Sequence, residues 1–189
     1  IADRLRWVLC HYPTQALAQE AEMSLFDYED FLFAATNIDW QEQSLFQESI
    51  KKRFDAASEV RIVGSGTDLC FSIAGREGIK CDGHRNMPDG EVFYAPVEGT
   101  AKGFITYDFP AIYCGKEVDQ VYLEFSQGRV VKTAAEKNQA FLEKTLDIDS
   151  GARHIGEFGI GVNYGITKFT KDILFDEKIG GTIHLALGS

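Results

Sequence analysis

No apolar run in this chain of 189 residues approaches the roughly 18 that a membrane-spanning helix needs. No basic n-region, apolar core and small-residue cleavage site open it either: the first residues read IADRLRWVLCHYP, which is not a secretory leader. Cysteine is sparse and unpatterned. Cys10, Cys70, Cys81 and Cys114 show no C-x-x-C spacing, so they read as reduced thiols, not a disulfide framework or a thiolate zinc site. Positive charge is short as well. The net charge of −10 and the scatter of the basic residues exclude a polyanion-binding surface and resist anionic membranes. The one short basic run, Lys51-Lys52-Arg53, reads as the solvated face of a helix. Walker, G-x-S-x-G and H-E-x-x-H motifs are missing, and Gly64-x-Gly66 lacks a downstream phosphate-binding helix. There is no internal repeat or low-complexity linker. The expectation is a cytoplasmic protein with no membrane and no nucleic-acid partner. The chain lacks an initiator methionine, with Ile1 leading straight into strand-like or helical material, and it reads as a fragment.

With 44% hydrophobic residues, the chain has enough material for one globular domain and an appendage. Its first third has helical periodicity. Thr14 precedes QALAQEAEM and is placed to cap a short helix; Ser24 with Asp27 three residues on approximates a capping box. Phe26, Phe31, Leu32 and Ala35 then recur at helical spacing toward a core, and a third helix spans about Trp40 to Ala57 with Leu45, Phe46, Ile50 and Phe54 on one side. From Glu59 the period shortens to that of strands: EVRIVG, DLCFSIAG, EVFYAPV, GFITYDF, VDQVYLEF and RVVKTA, the last two joined by a Gln127-Gly128 hairpin turn. One helix, from Ala134 to about Leu146, interrupts them with Phe141 and Leu142 facing inward. The fold class expected is α+β: a helical segment over residues 1–57, then a mostly antiparallel, β-rich domain over 58–189. Glycines crowd the tail, which implies tight turns and close backbone approach around a site.

Three side chains carry groups where the local pattern favours something apolar or a turn residue. Glu91 begins EVFYAPV directly after Pro88-Asp89-Gly90, where a strand end can aim a carboxylate into a cleft; a solvent-facing strand residue is the plainer alternative. Glu157 projects from the Gly-flanked stretch HIGEFGIGVN. A carboxylate buried there needs a metal, a cation or a hydrogen-bond network, and an ion pair with Arg153 or Lys168 competes with the metal. His184 stands between Ile183 and Leu185, which alternation sends to the opposite face, and a lone histidine is more often a satisfied core or surface residue than a ligand. Taken together, two carboxylates and an imidazole form a mixed N/O set suited to zinc, cobalt or manganese. The other histidines are weaker candidates: His11 precedes a turn, while His84 and His154 could support ligands from behind. Glu91 and Glu157 as an acid/base pair on a glycosidic bond ranks below metal hydrolysis, since no aromatic sugar platform is evident.

The ordered succession GSGTDLCFSIAGR, CDGHRNMPDGEVFYAPVE, GEFGIGVN and FDEKIGGTIHLALGS strongly resembles the thermophilic metallo-aminopeptidases of the aminopeptidase T, aminopeptidase S and PepS type. The resemblance runs from about Arg4 to Ser189. It implies a cytosolic, homodimeric exopeptidase that removes N-terminal residues from peptides with two divalent metal ions. It also implies that Glu91, Glu157 and His184 are metal ligands. The family's catalytic tyrosine and the His-x-Asp pair that completes its ligands would fall beyond Ser189, so no catalytic residue is assigned within the chain. In family terms residues 1–57 are the end of a first domain and 58–189 a truncated catalytic domain. The alternative is that this stretch by itself is an inactive folding or dimerisation scaffold.

Overall fold

A computed structural model describes residues 5–188. The expectation of regular structure from Ile1 onward falls partly on residues 1–4, outside the described residues. The elements in chain order are β1 (Leu9–Cys10), α1 (Gln15–Glu20), α2 (Leu25–Thr36), α3 (Trp40–Asp55), β2 (Glu59–Gly64), β3 (Thr67–Ser72), β4 (Ile79–Cys81), β5 (Asn86–Met87) and β6 (Glu91–Tyr94). They continue with β7 (Lys102–Thr106), β8 (Ala111–Tyr113), β9 (Lys116–Val118), β10 (Tyr122–Ser126), β11 (Arg129–Ala134), α4 (Gln139–Leu146), β12 (Ile155–Gly161), α5 (Ile173–Asp176) and β13 (Ile183–Leu187). The class is α+β, with the helical segment first and mostly antiparallel sheets after it. No helix among the described residues is long and apolar enough to cross a membrane.

The chain divides into two compact units that take turns along the sequence. The first contains the residues up to Lys52, Ile79–Phe93 and Gly159–His184. Its helices start where the sequence signals them: the Thr14 hydroxyl accepts from Leu17 N at 3.3 Å, and Ser24 Oγ accepts from Asp27 N at 3.1 Å. Tyr28, Phe31, Leu32 and Ala35 share one face of α2 and pack with Ala18, Ala21, Ile166, Leu174 and Phe175 into a core. Phe26 departs from expectation. It lies off that face and is 71% exposed. On α3 the apolar pair Leu45 and Phe46 is likewise exposed, while Gln47 is fully buried. The reason is backbone demand: the inward face of α3 supplies hydrogen bonds to a turn, described below, that no apolar side chain can make.

The second unit contains Arg53–Gly78, Tyr94–Phe158 and the residues from Leu185 on. Its centre is a five-stranded antiparallel sheet in the order β11-β10-β7-β3-β2. Burial alternates along β3, so Thr67, Leu69 and Phe71 face inward, and Phe71 meets Phe158 edge-on at 5.2 Å between ring centroids. Gln127 and Gly128, both at positive φ, close the β10–β11 hairpin as predicted. The helix expected from Ala134 begins only at Gln139, because Ala134 remains in the ladder opposite Tyr122. Leu142 and Leu146 turn inward on α4. Back in the first unit, β4 pairs antiparallel with β6, setting Cys81 opposite Glu91.

Candidate metal centre

Glu91 opens β6 and is 4% exposed, so it is not the solvent-facing strand residue that the local pattern also allowed. The turn before it is held from several directions. Gln47 Nε2 donates to Glu91 O at 2.7 Å and to Cys81 O at 2.9 Å. Asn163, also fully buried, donates through Nδ2 to Asp89 O at 2.9 Å and to Ala35 O at 3.0 Å. Gly90 has φ +120, and an added Cβ would run into the Asn163 side chain, so glycine is the residue that fits. The Asp89 carboxylate accepts from Gly83 N and Gly90 N, each at 3.2 Å. Burial nevertheless pushes Asp89 up to about 6, against the pull of those amides and of Lys178.

The two carboxylate oxygens of Glu91 face different partners. Oε1 lies 3.3 Å from Lys178 Nζ, and Oε2 lies 3.1 Å from His184 Nε2. Lys178 is 2% exposed, and its ammonium also meets Glu177 Oε2 at 2.9 Å. Burial by itself would raise Glu91, but the adjacent His184 imidazole and the charge of Lys178 outweigh it and hold the carboxyl below its ordinary value. Burial would lower Lys178, yet Glu91 and Glu177 raise it. Glu91, Glu177 and His184 each offer a ligand atom, and those atoms lie within 4.8 Å of one another. Gly159 makes room for this: its φ is ordinary, but a Cβ there would overlap the His184 imidazole at Nε2 and Cε1. The Glu91 oxygen facing His184 is buried, and the available donors are carboxylate oxygen and imidazole nitrogen. This donor set fits a borderline or hard divalent cation.

Of the three side chains picked from sequence, Glu91 and His184 thus come together. Glu157 lies on β12 in the second unit and is half-buried. The cations weighed as its partners are engaged elsewhere: Arg153 pairs with Asp147 at 2.8 Å, and Lys168 donates to Glu22 O at 3.1 Å. His84 pairs with Asp82 at the surface, His11 with Asp172, and His154 is 3.8 Å from Glu98 in the second unit. Sequence reasoning missed Glu177 and Lys178, whose signal was a cation set beside acids in DEKIGG, six residues before His184. It also missed Cys81 and Asp89, which with Glu91 form a second group of potential ligand atoms within 4.8 Å. Gln47 left no signal beyond its place among apolar helix neighbours.

Comparisons with known proteins add family context to this geometry. The family model described as thermophilic metalloprotease (M29) matches residues 1–189. Aminopeptidase T of Thermus aquaticus is 32% identical over 155 residues, which is 73% of this chain and 36% of that protein. The solved structure of wild-type AmpT from Thermus thermophilus superposes with a TM-score of 0.74 at 26% identity, covering 85% of this chain and 45% of that one. The chain therefore spans between a third and a half of the length of these relatives. A dioxygenase structure from Pseudomonas putida KT2440, described as acting on 2,5-dihydroxypyridine, matches with a TM-score of 0.59 at 14% identity, which speaks for the fold alone.

Proposed function

We propose that this chain, a member of the thermophilic metalloprotease (M29) family, is part of a metal-dependent aminopeptidase that releases N-terminal residues from peptides. Its metal ligands are Glu91, Glu157 and His184, its cofactor is a pair of divalent ions (zinc, cobalt or manganese), and it works as a cytoplasmic homodimer. Residues 1–57 belong to the end of the family's first domain and 58–189 to its catalytic domain. The observation that carries the reading is the approach of His184 Nε2 to a buried, ionised Glu91 oxygen at 3.1 Å.

Bound there, a divalent ion supplies Lewis acidity and a water whose pKa falls to about 7. The chain's own residues set the conditions for that chemistry. Glu91 keeps its charge while buried, so it presents an anionic oxygen without having to shed a proton. The space left by Gly159 sets the plane in which His184 offers Nε2. The α-amine of a peptide's N-terminus, in its neutral form, is a nitrogen donor that such an ion would accept, which fits removal of residues from that end.

The test uses the full-length protein: metal content, and hydrolysis of a leucyl chromogenic substrate, for the wild type, Glu157→Gln and His184→Ala. Both variants are expected to fold, to lose metal, and to lose activity. A wild type that binds no divalent ion sinks the reading as a whole, and near-normal turnover by Glu157→Gln removes Glu157 from the ligand set.

A further inference from the structure

Lys178 is out of place in a cation site. Its ammonium is nearly sealed from solvent and sits on the same carboxylate that faces His184, so it opposes by charge any dication bound there. A hydrophobic residue would avoid that repulsion. What a lysine provides instead is visible in how the Glu91 carboxylate is divided: Oε1 goes to Lys178 Nζ, and Oε2 alone to the His184 side.

The lysine is itself well anchored. Its backbone N–H donates to Phe175 O at 2.9 Å, its carbonyl accepts from Asn163 N at 3.0 Å, and its ammonium is fixed a second time by Glu177 Oε2 at 2.9 Å. Glu91 is anchored at its backbone by Gln47, so the side-chain torsions are what remain to be set, and an ammonium on Oε1 sets them. A carboxylate left unheld can turn and close on a metal with both oxygens; one clamped through Oε1 offers a single oxygen.

We infer that Lys178 is a positioning residue: it holds Glu91 by Oε1 so that Glu91 meets a divalent ion through Oε2 only, beside His184 Nε2. This inference rests on the metal reading of the site. Two effects of removing the ammonium have opposite signs, which makes the role testable. Relief of charge repulsion tightens metal binding, whereas loss of orientation weakens it.

The experiment is Co2+ binding to the full-length protein, followed by competition with a chromophoric chelator and by the visible spectrum of the bound ion, for the wild type, Lys178→Met and Lys178→Arg. Lys178→Met is expected to bind Co2+ roughly 10–100-fold more weakly, as for other groups that orient a ligand. Its spectrum should also shift toward higher coordination. Lys178→Arg keeps the charge and donors but puts a bulkier, planar group into a sealed site; it should bind Co2+ more tightly than Lys178→Met and keep the wild-type spectrum. Tighter binding by Lys178→Met, or an unchanged affinity and spectrum, overturns the inference while leaving the metal reading intact; a wild type that binds no Co2+ takes down both. Should Lys178→Met fail to fold, a Co2+-bound structure of the wild type decides: Oε1 on Lys178 with Oε2 on the ion supports the role, and both oxygens on the ion refute it.

Discussion

Gly159→Ala is the sharpest perturbation available to the centre, because it adds one methyl group and removes nothing. Gly159 does not occupy the left-handed region, so alanine is free to adopt its backbone. On conformational entropy alone the change would stabilise the fold by about 0.4–1 kcal/mol. Against this, the new Cβ would overlap Nε2 and Cε1 of His184, far inside the 3.4 Å at which ordinary contact begins, so the ring must retreat by more than about 1 Å. Such overpacking costs about 1–3 kcal/mol. The net expectation is destabilisation of roughly 1–2 kcal/mol. More telling is the metal. The Nε2 to Glu91 Oε2 separation of 3.1 Å does not survive that displacement, and divalent-ion affinity should fall about 10–100-fold. The measurements are urea unfolding and chelator competition on the full-length protein. Gly64→Ala serves as the control, since its Cβ would meet only Thr67 at 3.9 Å. Metal affinity within twofold of wild type in Gly159→Ala would refute His184 Nε2 as the group that the glycine makes room for.

Two further outcomes follow from buried polar groups. Gln47→Leu fills similar space but strands the carbonyls of Cys81 and Glu91, and should cost about 2–4 kcal/mol in urea unfolding; a loss under 1 kcal/mol would mean that the turn before Glu91 does not depend on α3. Tyr28 is buried, and among the described residues its hydroxyl has no hydrogen-bond partner, so Tyr28→Phe should be neutral or stabilising by about 1 kcal/mol at pH 7. Burial, aided by Asp172 and Asp176, pushes the Tyr28 phenol up to about 12. The folded state therefore retains a proton that the unfolded state releases near 10, and stability falls as pH rises from 10 toward 12. Unfolding curves of wild type and Tyr28→Phe should separate progressively over that window in favour of the variant; parallel curves would contradict it.

How much of this was legible in advance differs from element to element. Thr14 and Ser24 announced their helices because capping is a contact between residues three apart, and the Gln127-Gly128 hairpin was legible for the same reason of short range. The late start of α4 was not, because Ala134 is kept in a strand by Tyr122, a partner twelve positions upstream. Phe26, Leu45 and Phe46 looked like core by spacing and proved exposed, since spacing identifies a face without saying what lies against it. Gln47 shows the converse: a polar residue occupies the buried position because two turn carbonyls, 34 and 44 residues away in sequence, need donors. Glu91, Glu157 and His184 stand out by local pattern and by the order of motifs, whereas Glu177 and Lys178, in the same stretch as His184, carry no local signal of a role beyond a cation set beside acids. Their chemistry depends on burial beside Glu91, to which no local pattern points.

The sequence by itself determined the α+β class, the order of helices and strands, the absence of long apolar or strongly basic stretches, and the family, because each depends on composition or on neighbours along the chain. Only the tertiary structure decided that Glu91 is buried, that His184 approaches one of its oxygens, and that Lys178 takes the other. Those facts depend on residues 87 and 93 positions apart being brought within about 3 Å. At that range burial and charge act together: the protein interior withdraws water, and the ionisation of each group is then set by partners that the linear order keeps far apart.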